Sequence, residues 1–370
     1  MKWEKVKLKD ITLIKKGDYI TKNNSNPGKY PVILGGREPA YFIDKFNHTG
    51  KALVVSRSGA SAGYISFWNE PIFVTDGFLI EPKEGISYEY LYFLLKSKQY
   101  ELQRKQQGAA IPHVTPLLIQ NIEIKLPPFE IRTKIADILS TYDDLIENNQ
   151  KQIKLLEEAA QRLYKEWFVD LRFPGHEQTK LIDGVPEGWK NNILSDIADI
   201  SMGQSPKSEF YNDKKDGLPF HQGVGSYGNR FVIDNVYTTS YTRIAEPDSI
   251  LFSVRAPVGR LNRTKNRIVI GRGLSAINHK KGCQGYLFYL LKNKFFKDNI
   301  LGNGSIFASI SKDELANQKL IIPTDSLVER FNSQVKSIDD KIDILDSQNE
   351  LLKETRDRLL PKLMSGEIEV

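Results

Sequence analysis

Two stretches of the chain repeat apolar and polar positions at helical spacing for far longer than any other segment. Between Ile131 and Phe168, apolar or small residues return in steps of three and four at Ile135, Ile138, Tyr142 and Leu145, then at Leu156, Ala159 and Leu163. This is the spacing of a coiled-coil seam. Between Leu327 and Met364 the same stripe runs through Phe331, Val335, Ile338, Ile342, Leu345, Leu352, Leu359 and Leu363, with Asn349 and Arg356 as its polar exceptions. Two seams of equal length in one chain can bury each other. At 1.5 Å per residue each helix would be a rod of roughly 55 to 60 Å. Pro127-Pro128 precedes the first and Pro323-Thr324-Asp325-Ser326 the second, with Ser326 and Glu329 spaced as a capping box. The second is expected to end between Pro361 and Gly366, because proline inside a helix removes a hydrogen bond and crowds the preceding turn.

The two stretches are copies of one another. A gapless shift of 196 residues superimposes Asp143 on Asp339, Asp144 on Asp340, Ile146 on Ile342, Gln152 on Gln348, Leu155 on Leu351, Leu156 on Leu352, Glu158 on Glu354, Arg162 on Arg358 and Leu163 on Leu359. Near mid-length Asn149 with Gln152, and Gln348 with Asn349, interrupt the stripes. Either these polar residues are buried and fix register at some cost in stability, or they are solvated positions on slightly irregular helices. The duplication extends outside the helices. Trp3, Leu8, Asp10, Ile11 and Gly17 match Trp189, Leu194, Asp196, Ile197 and Gly203 at a shift of 186, and Tyr90 to Lys98 matches Tyr286 to Lys294 at 196. The ten-residue difference falls between Gly17 and Tyr90, so the copies share their frames and differ in their middles. That is expected of a duplicated scaffold whose centres read different targets.

Shorter patterns fill the remainder. β-branched and aromatic runs bounded by Gly, Pro and Asn predict strands at Tyr30 to Leu34, Ala52 to Ser56, Ile72 to Thr75, Arg230 to Ile233, Ser249 to Val254 and Arg267 to Ile270. Helices are expected over Tyr88 to Gln106 and Gly285 to Lys297. The fold class is therefore mixed α/β (α+β), each copy a compact domain with a strongly bent sheet. The expected domains are residues 1–127, a helical segment 128–173, a linker 174–188, residues 189–324 and a second helical segment 325–370. The stretch Phe173 to Gly188, rich in Pro, Gly and charge, reads as the linker.

A length of 370 residues suits two or more domains. No run of 18 apolar residues exists and MKWEKVKLKD lacks an apolar stretch, so neither a membrane span nor a signal peptide is expected and the chain is expected in the cytoplasm. The single cysteine, Cys283, reads as an inert filler, and the sequons at Asn47, Asn262 and Asn303 carry no meaning in that compartment. The net charge of +6 divides unevenly. Residues 1–127 hold 18 basic and 12 acidic side chains and 174–324 hold 20 and 14, whereas 128–173 hold 7 and 9 and 325–370 hold 7 and 11. Positive charge therefore lies where the chain is globular, and a phosphate-bearing partner is the simplest explanation.

Catalytic chemistry is not apparent. The five histidines, His48, His113, His176, His221 and His279, lack the spacing of a zinc site, and there is no GxxxxGK[ST] loop. Gly223-Val224-Gly225-Ser226-Tyr227-Gly228 matches GxGxxG, but a strand start and not a helix is expected after it, so a flexible turn is the better reading. Pro127-Pro128-Phe129 has the PP-aromatic core of amino-methyltransferases, yet Leu126 stands where those need Asp, Asn or Ser. Asp143-Asp144 reads as part of a solvated helix face. Basic, amide and aromatic side chains instead gather in the variable middles: Lys22, Asn23, Asn24, Arg37 and Arg57 in the first, and Tyr227, Asn229, Arg230, Arg243, Arg255, Arg260, Arg263 and Arg267 in the second. Arginine grips guanine O6 and N7 in bidentate fashion, Asn or Gln grips adenine, and lysine mainly meets phosphate. These residues are the DNA-binding candidates.

The tandem halves, together with GRGLSAI (Gly271 to Ile277), LEEAAQRLYKEWFVDLRFPG (Leu156 to Gly175), VPEGW (Val185 to Trp189) and RDRLLPKLMSGEI (Arg356 to Ile368), resemble the specificity subunits of type I restriction and modification systems. The resemblance covers essentially the whole chain. It implies two target recognition domains, each reading one half of a split site in double-stranded DNA, separated by an antiparallel pair of helices that acts as a ruler and relates the halves by a pseudo-two-fold axis. It also implies two methyltransferase subunits docked along the helices and restriction (motor and nuclease) subunits joining them. S-adenosylmethionine, ATP and Mg²⁺ would belong to those partners, with no cofactor bound by this chain. One departure is Pro361 in the position of Lys165, from which an earlier end to the second helix is expected. A purely structural coiled-coil adaptor is the alternative, which would leave the charge partition unexplained; a stand-alone nucleic-acid-modifying enzyme would need a carboxylate cluster or cofactor loop.

Overall fold

The computed structural model describes residues 3–104, 113–295 and 309–370. The chain forms two compact units, residues 1–150 with 346–370, and residues 151–345. The division runs through both long helices instead of setting them apart as the sequence boundaries do. Burial is the reason: each helical segment gives its apolar face to the core of a unit.

The first unit opens with β1 (Glu4–Lys7), α1 (Leu8–Ile11) and β2 (Thr12–Lys16). It continues through β3 (Pro27–Ile33), β4 (Tyr41–Ile43), β5 (Ala52–Ser56), β6 (Ile65–Trp68), β7 (Phe73–Val74) and β8 (Gly77–Pro82) to α2 (Tyr88–Arg104), α3 (Pro116–Gln120), β9 (Glu123–Leu126) and α4 (Phe129–Phe168). The β strands split into an antiparallel sheet of order β2-β8-β5-β6, a smaller sheet β4-β3-β7 with a parallel β3–β7 pair, and the ribbon β1-β9. Every residue of β5 is buried, which is why it reads as a continuous apolar run and not an alternation. Tyr90, Leu91, Leu94 and Leu95 of α2 share one core with Leu53 and Ile80 of the larger sheet, with Ile131, Ile135 and Leu139 of α4, and with Leu363 near the C-terminus.

The second unit repeats this plan. A hairpin of β10 (Leu181–Ile182) and β11 (Val185–Pro186) turns through Asp183-Gly184, both at positive φ, the geometry that Asp-Gly hairpin turns adopt. The segment expected as a plain linker is therefore structured, and Phe173 within it is buried against Trp189 with ring centroids 5.5 Å apart. The chain then follows β12 (Lys190–Ile193), α5 (Leu194–Ile197), β13 (Ala198–Met202), β14 (Tyr211–Asn212), β15 (Leu218–His221), β16 (Tyr237–Thr238), β17 (Ile244–Ala245), β18 (Ile250–Ser253), β19 (Leu261–Arg263), β20 (Ile268–Ile270) and β21 (Leu274–His279). It ends with α6 (Gln284–Phe295), α7 (Lys312–Ala316), β22 (Lys319–Ile322) and α8 (Asp325–Ser365). The sheets β13-β21-β18-β19 and β14-β16-β15-β20-β17, and the ribbon β12-β22, correspond to those of the first unit, with the parallel pair now β15–β20. The strand expected at Arg230 to Ile233 is absent and only single bridges, Tyr227 to Val232 and Phe231 to Arg263, occur there. Phe231 is drawn instead into a core with Ile153, Ile342 and Leu345. The expected helix ends at Gln106 and Lys297 lie outside the described residues.

Outside the long helices, identities between the copies mark packing and backbone contacts. Leu8 and Leu194 are both fully buried. Asp10 accepts the backbone N–H of Lys7 at 2.8 Å and Asp196 that of Ile193 at 2.9 Å, closing equivalent one-turn helices. Gly17 and Gly203 lie where a Cβ would come within 2.5 Å of the Val74 carbonyl and 2.1 Å of the Gly271 carbonyl, so only glycine lets the second strand run beside the parallel pair.

Within each unit α4 and α8 pack antiparallel. In the first, Ile135 of α4 shares a core with Leu363 of α8, while Asp143, two turns later, meets Arg356, two turns earlier. In the second, Ile153 joins Leu345 and Ile342, while Phe168 meets Phe331 with ring centroids 5.0 Å apart. The α8 stripe is buried as read from the sequence, through Phe331, Val335, Ile342, Leu345, Asn349 and Leu363. The α4 stripe holds at Ile135, which is buried, and at half-buried Ile138, Tyr142, Leu156 and Leu163, but Leu145 and Ala159 are exposed and their neighbours Ile146 and Ala160 are buried instead, along with Leu139, Asn149, Ile153 and Tyr164. α8 begins at Asp325, so Ser326 is inside the helix and does not form the expected capping box. The helix ends at Ser365, within the expected span from Pro361 to Gly366, and no sooner than α4 does. Pro361 sits in its last turns, where the one lost hydrogen bond is offset by packing of Leu363 in the core and of Gly366 on the Trp3 indole. Among the described residues no helix is long and apolar enough to cross a membrane.

Candidate nucleic-acid interface

In the first unit Lys22, Asn23 and Asn24 form an exposed 3-10 turn, held by the Ser25 hydroxyl donating to the Lys22 carbonyl at 3.0 Å. They follow Tyr19, which is 85% exposed. A second group gathers where β5 and β7 end. Arg57 reaches Asp76 at 3.8 Å, the Ser58 hydroxyl donates to the same carboxylate, and exposed Arg37 lies 5.5 Å from the Tyr64 ring. Lys96 of α2 stands over Tyr64 at 4.5 Å and over Tyr92 at 5.7 Å. Burial, followed by the neighbouring Arg356 guanidinium, pulls its pKa down to about 8. The structure thus brings Arg37 and Arg57 together and adds Lys96 and Tyr64, which carried no sequence signal because one lies on a helix read only as core and the other in a turn.

In the second unit the GxGxxG stretch is a 3-10 turn at Val224–Ser226 with no helix after it. Its shape comes from the Ser226 hydroxyl beside His221 Nδ1 at 2.8 Å and from Asn262 donating to the Gly228 carbonyl at 2.9 Å. Exposed Asn229, half-buried Tyr227 and exposed Arg260 line an open cavity of about 420 Å³ together with Glu157, Phe288 and Lys292. The Tyr227 hydroxyl has no hydrogen-bond partner, and burial pushes its pKa up. Arg243 and Arg255 are exposed on separate loops, and Arg267 pairs with Glu246 at 3.2 Å. Near Arg243 the Thr242 hydroxyl donates to the Gln204 carbonyl, Ser205 donates to Gln222 at 2.8 Å, and the exposed Arg272 donates its backbone N–H to Ser205 at 3.2 Å. Gln204, Gln222 and Arg272 have the chemistry of base and phosphate readers. In the sequence, Arg272 stood within GRGLSAI, and Gly203, Gly271 and Gly273 are the glycines that let these loops approach.

Two candidates are withdrawn from the surface. Arg230 is 2% and Arg263 7% exposed, and both end on one carboxylate of α8, Asp339. Their charge is neutralised inside the protein, which removes them from the exposed set. Of the Asp143-Asp144 pair expected on a solvated face, Asp144 is exposed, whereas Asp143 pairs with Arg356 across the seam, and its counterpart Asp339 is buried. Asp340, the counterpart of Asp144, is exposed too, bonded to Lys336 one turn away. Cys283 is buried, which raises its thiol pKa. Among the described residues no group of His, Cys, Asp and Glu could hold a metal ion.

Comparison with known proteins gives a consistent picture. The model of the type I restriction modification DNA specificity domain matches residues 1–158 and again 186–360. A putative type I restriction enzyme MjaX specificity subunit of Methanocaldococcus jannaschii is 31% identical over 355 residues, covering 92% of this chain and 80% of that protein. The MjaIX specificity subunit of the same organism is 30% identical over 342 residues, covering 86% and 78%. The crystal structure of a type I restriction-modification system S subunit from M. genitalium superimposes with a TM-score of 0.62 at 22% identity, over 98% of this chain and 96% of that one, which shows a shared fold.

Proposed function

This chain belongs to the type I restriction modification DNA specificity family, and we propose that it is the non-catalytic subunit that reads DNA sequence for such a system. The observation that carries this reading is a frame built twice with the same internal closures, the Asp10 and Asp196 caps and the Gly17 and Gly203 approaches. Between these closures the two frames carry different basic, amide and aromatic side chains, most of them exposed. The first offers Lys22, Asn23, Asn24, Arg37 and Arg57; the second offers Tyr227, Asn229, Arg243, Arg255 and Arg260. Each set reads one half of a bipartite site in the major groove of duplex DNA, and the helices common to both act as the spacer.

The helices also carry identical residues that packing does not require. Leu155 and Leu351 are each 64% exposed. Each is followed by an i,i+4 pair on the surface, Glu158 with Arg162 at 3.7 Å and Glu354 with Arg358 at 3.6 Å. The same exposed patch present twice suits one kind of partner bound twice, and we assign it to two methyltransferase subunits, with restriction subunits joining the assembly. S-adenosylmethionine, ATP and Mg²⁺ then belong to those partners, and the complex works in the cytoplasm. The test is to express the chain with its cognate modification subunit and map methylated adenines. The expected result is modification at one bipartite sequence; modification without sequence preference overturns the reading.

A further inference from the structure

Asp339 lies on the stretch of α8 that packs inside the second unit, and it is 8% exposed. Two arginines from two different segments meet it. Arg230 donates to Oδ1 at 2.5 Å from the end of the turn that carries Tyr227 and Asn229, and Arg263 donates to Oδ2 at 2.8 Å from β19, three residues after Arg260. The two segments are also joined to each other, since the Arg263 N–H donates to the Arg230 carbonyl at 2.9 Å and the Val232 N–H to the Arg263 carbonyl at 3.2 Å. Surrounding groups complete the cluster. Glu157 of α4 lies 3.5 Å from Arg230, Phe288 stacks on its guanidinium at 4.0 Å, the Tyr289 hydroxyl lies 3.4 Å from Asp339, and Asp248 takes the second arm of Arg263. Gly285 permits the close approach of α6 to α8 behind it, because a Cβ there would meet Val335 at 2.8 Å.

We propose that Asp339 is the positioning residue that fixes the reading loops of the second unit on the spacer helix, and so determines which bases that unit accepts. A carboxylate held by two buried guanidiniums defines distance and angle more narrowly than apolar packing does, because each fork has one productive orientation toward its acceptor. Tyr227, Asn229 and Arg260 are separated from this anchor by only a few residues of chain. Among the described residues the first unit has no such device. Its equivalent acid, Asp143, is taken by Arg356 of α8 itself, and the repeat places Phe93, without a hydroxyl, at the position of Tyr289 and Lys353 at that of Glu157. Loss of the acid therefore affects one half of the DNA site and not the other.

This inference rests on the proposed reading of a bipartite site, and the experiment separates the two. The full chain is co-expressed with its modification subunit as wild type, Asp339→Asn, Asp339→Glu and Asp143→Asn, and methylated adenines are mapped for each. The half read by residues 189–324 is identified by exchanging that middle with one from another family member. If the wild type modifies no bipartite site, the proposed function fails and this inference falls with it; the variants decide the inference alone once that site is found. With a bipartite site in hand, Asp339→Asn is expected to lower discrimination in the second unit's half by about tenfold or more, the worth of a well-aligned base contact, while the other half stays intact. Asp339→Glu, which keeps the charge and lengthens the arm, is expected to fold and to relax the same half to a smaller degree. A purely structural role would lower the yield of modified sites with no change in the bases accepted. That result, equal relaxation of both halves, or wild-type discrimination by folded Asp339→Glu overturns the proposal.

Discussion

Asn149 of α4 and Asn349 of α8 are both buried in the seam of the first unit, six residues beyond Asp143 and seven before Arg356, the pair that ties the same two helices together. The Oδ1 of Asn349 has no hydrogen-bond partner. The repeat places Ile153 opposite Asn349 and Leu345 opposite Asn149, so an apolar residue fits each position. Asparagine here costs stability and supplies register, the use that buried polar residues have in coiled coils. Asn349→Ile is expected to raise unfolding stability by roughly 1 to 3 kcal/mol, the penalty of an unsatisfied buried polar atom, and to broaden the population of helix registers. Chemical denaturation reads the first effect and disulfide trapping across α4 and α8 the second; a destabilised variant contradicts the assignment.

Arg230 and Asn229 are neighbours in sequence with opposite roles. Arg230→Met leaves Asp339 without one of its two partners and is expected to cost about 3 to 5 kcal/mol, as breaking a buried ion pair does. Asn229→Ala, on an exposed residue, is expected to stay within about 0.5 kcal/mol of wild type and to weaken only DNA reading. Thermal unfolding of both variants checks the contrast.

Lys96 gives a signature in pH. Its folded pKa of about 8 lies below its ordinary value of 10.5. Between those values the unfolded chain binds more protons than the folded one, so stability rises as pH increases across that window. Asp143, Asp357, Arg356 and Arg37 set the charge around it. Lys96→Met is expected to abolish the rise, read as the difference in melting temperature between the two proteins from pH 7.5 to 10.5.

Leu155 and Leu351 are exposed, so Leu155→Glu and Leu351→Glu are expected to leave the isolated chain within about 0.5 kcal/mol of wild type. Each single change is expected to remove one of two bound methyltransferase copies and the double change both, read by native mass spectrometry of the assembled complex. Full assembly by the double variant contradicts the docking assignment.

The frame of this protein was legible because duplication shows which residues a fold demands. Leu8, Asp10 and Gly17 recur as Leu194, Asp196 and Gly203, and all six sit in equivalent backbone contacts. The α8 stripe was legible from its spacing alone. The α4 stripe was one residue off at Leu145 and Ala159, whereas transferring the α8 stripe through the 196-residue shift lands on Leu139, Ile146, Ile153 and Ala160. The candidate reading residues were only partly legible. Charge in a variable middle does not say which way a guanidinium points, and Arg230 and Arg263 look the same in sequence as Arg243 and Arg255. Their partner, Asp339, lies 109 and 76 residues away in sequence, and nothing local to either arginine points to it.

The most direct test of the central claim is a half-site exchange. Residues 18 to 85, the variable middle of the first unit, are replaced by the corresponding stretch of another family member, and methylated adenines are mapped in cells carrying the complete system. Two independent readers predict that one half of the recognised sequence changes while the other half is retained. An unaltered sequence, or a change in both halves, contradicts the account.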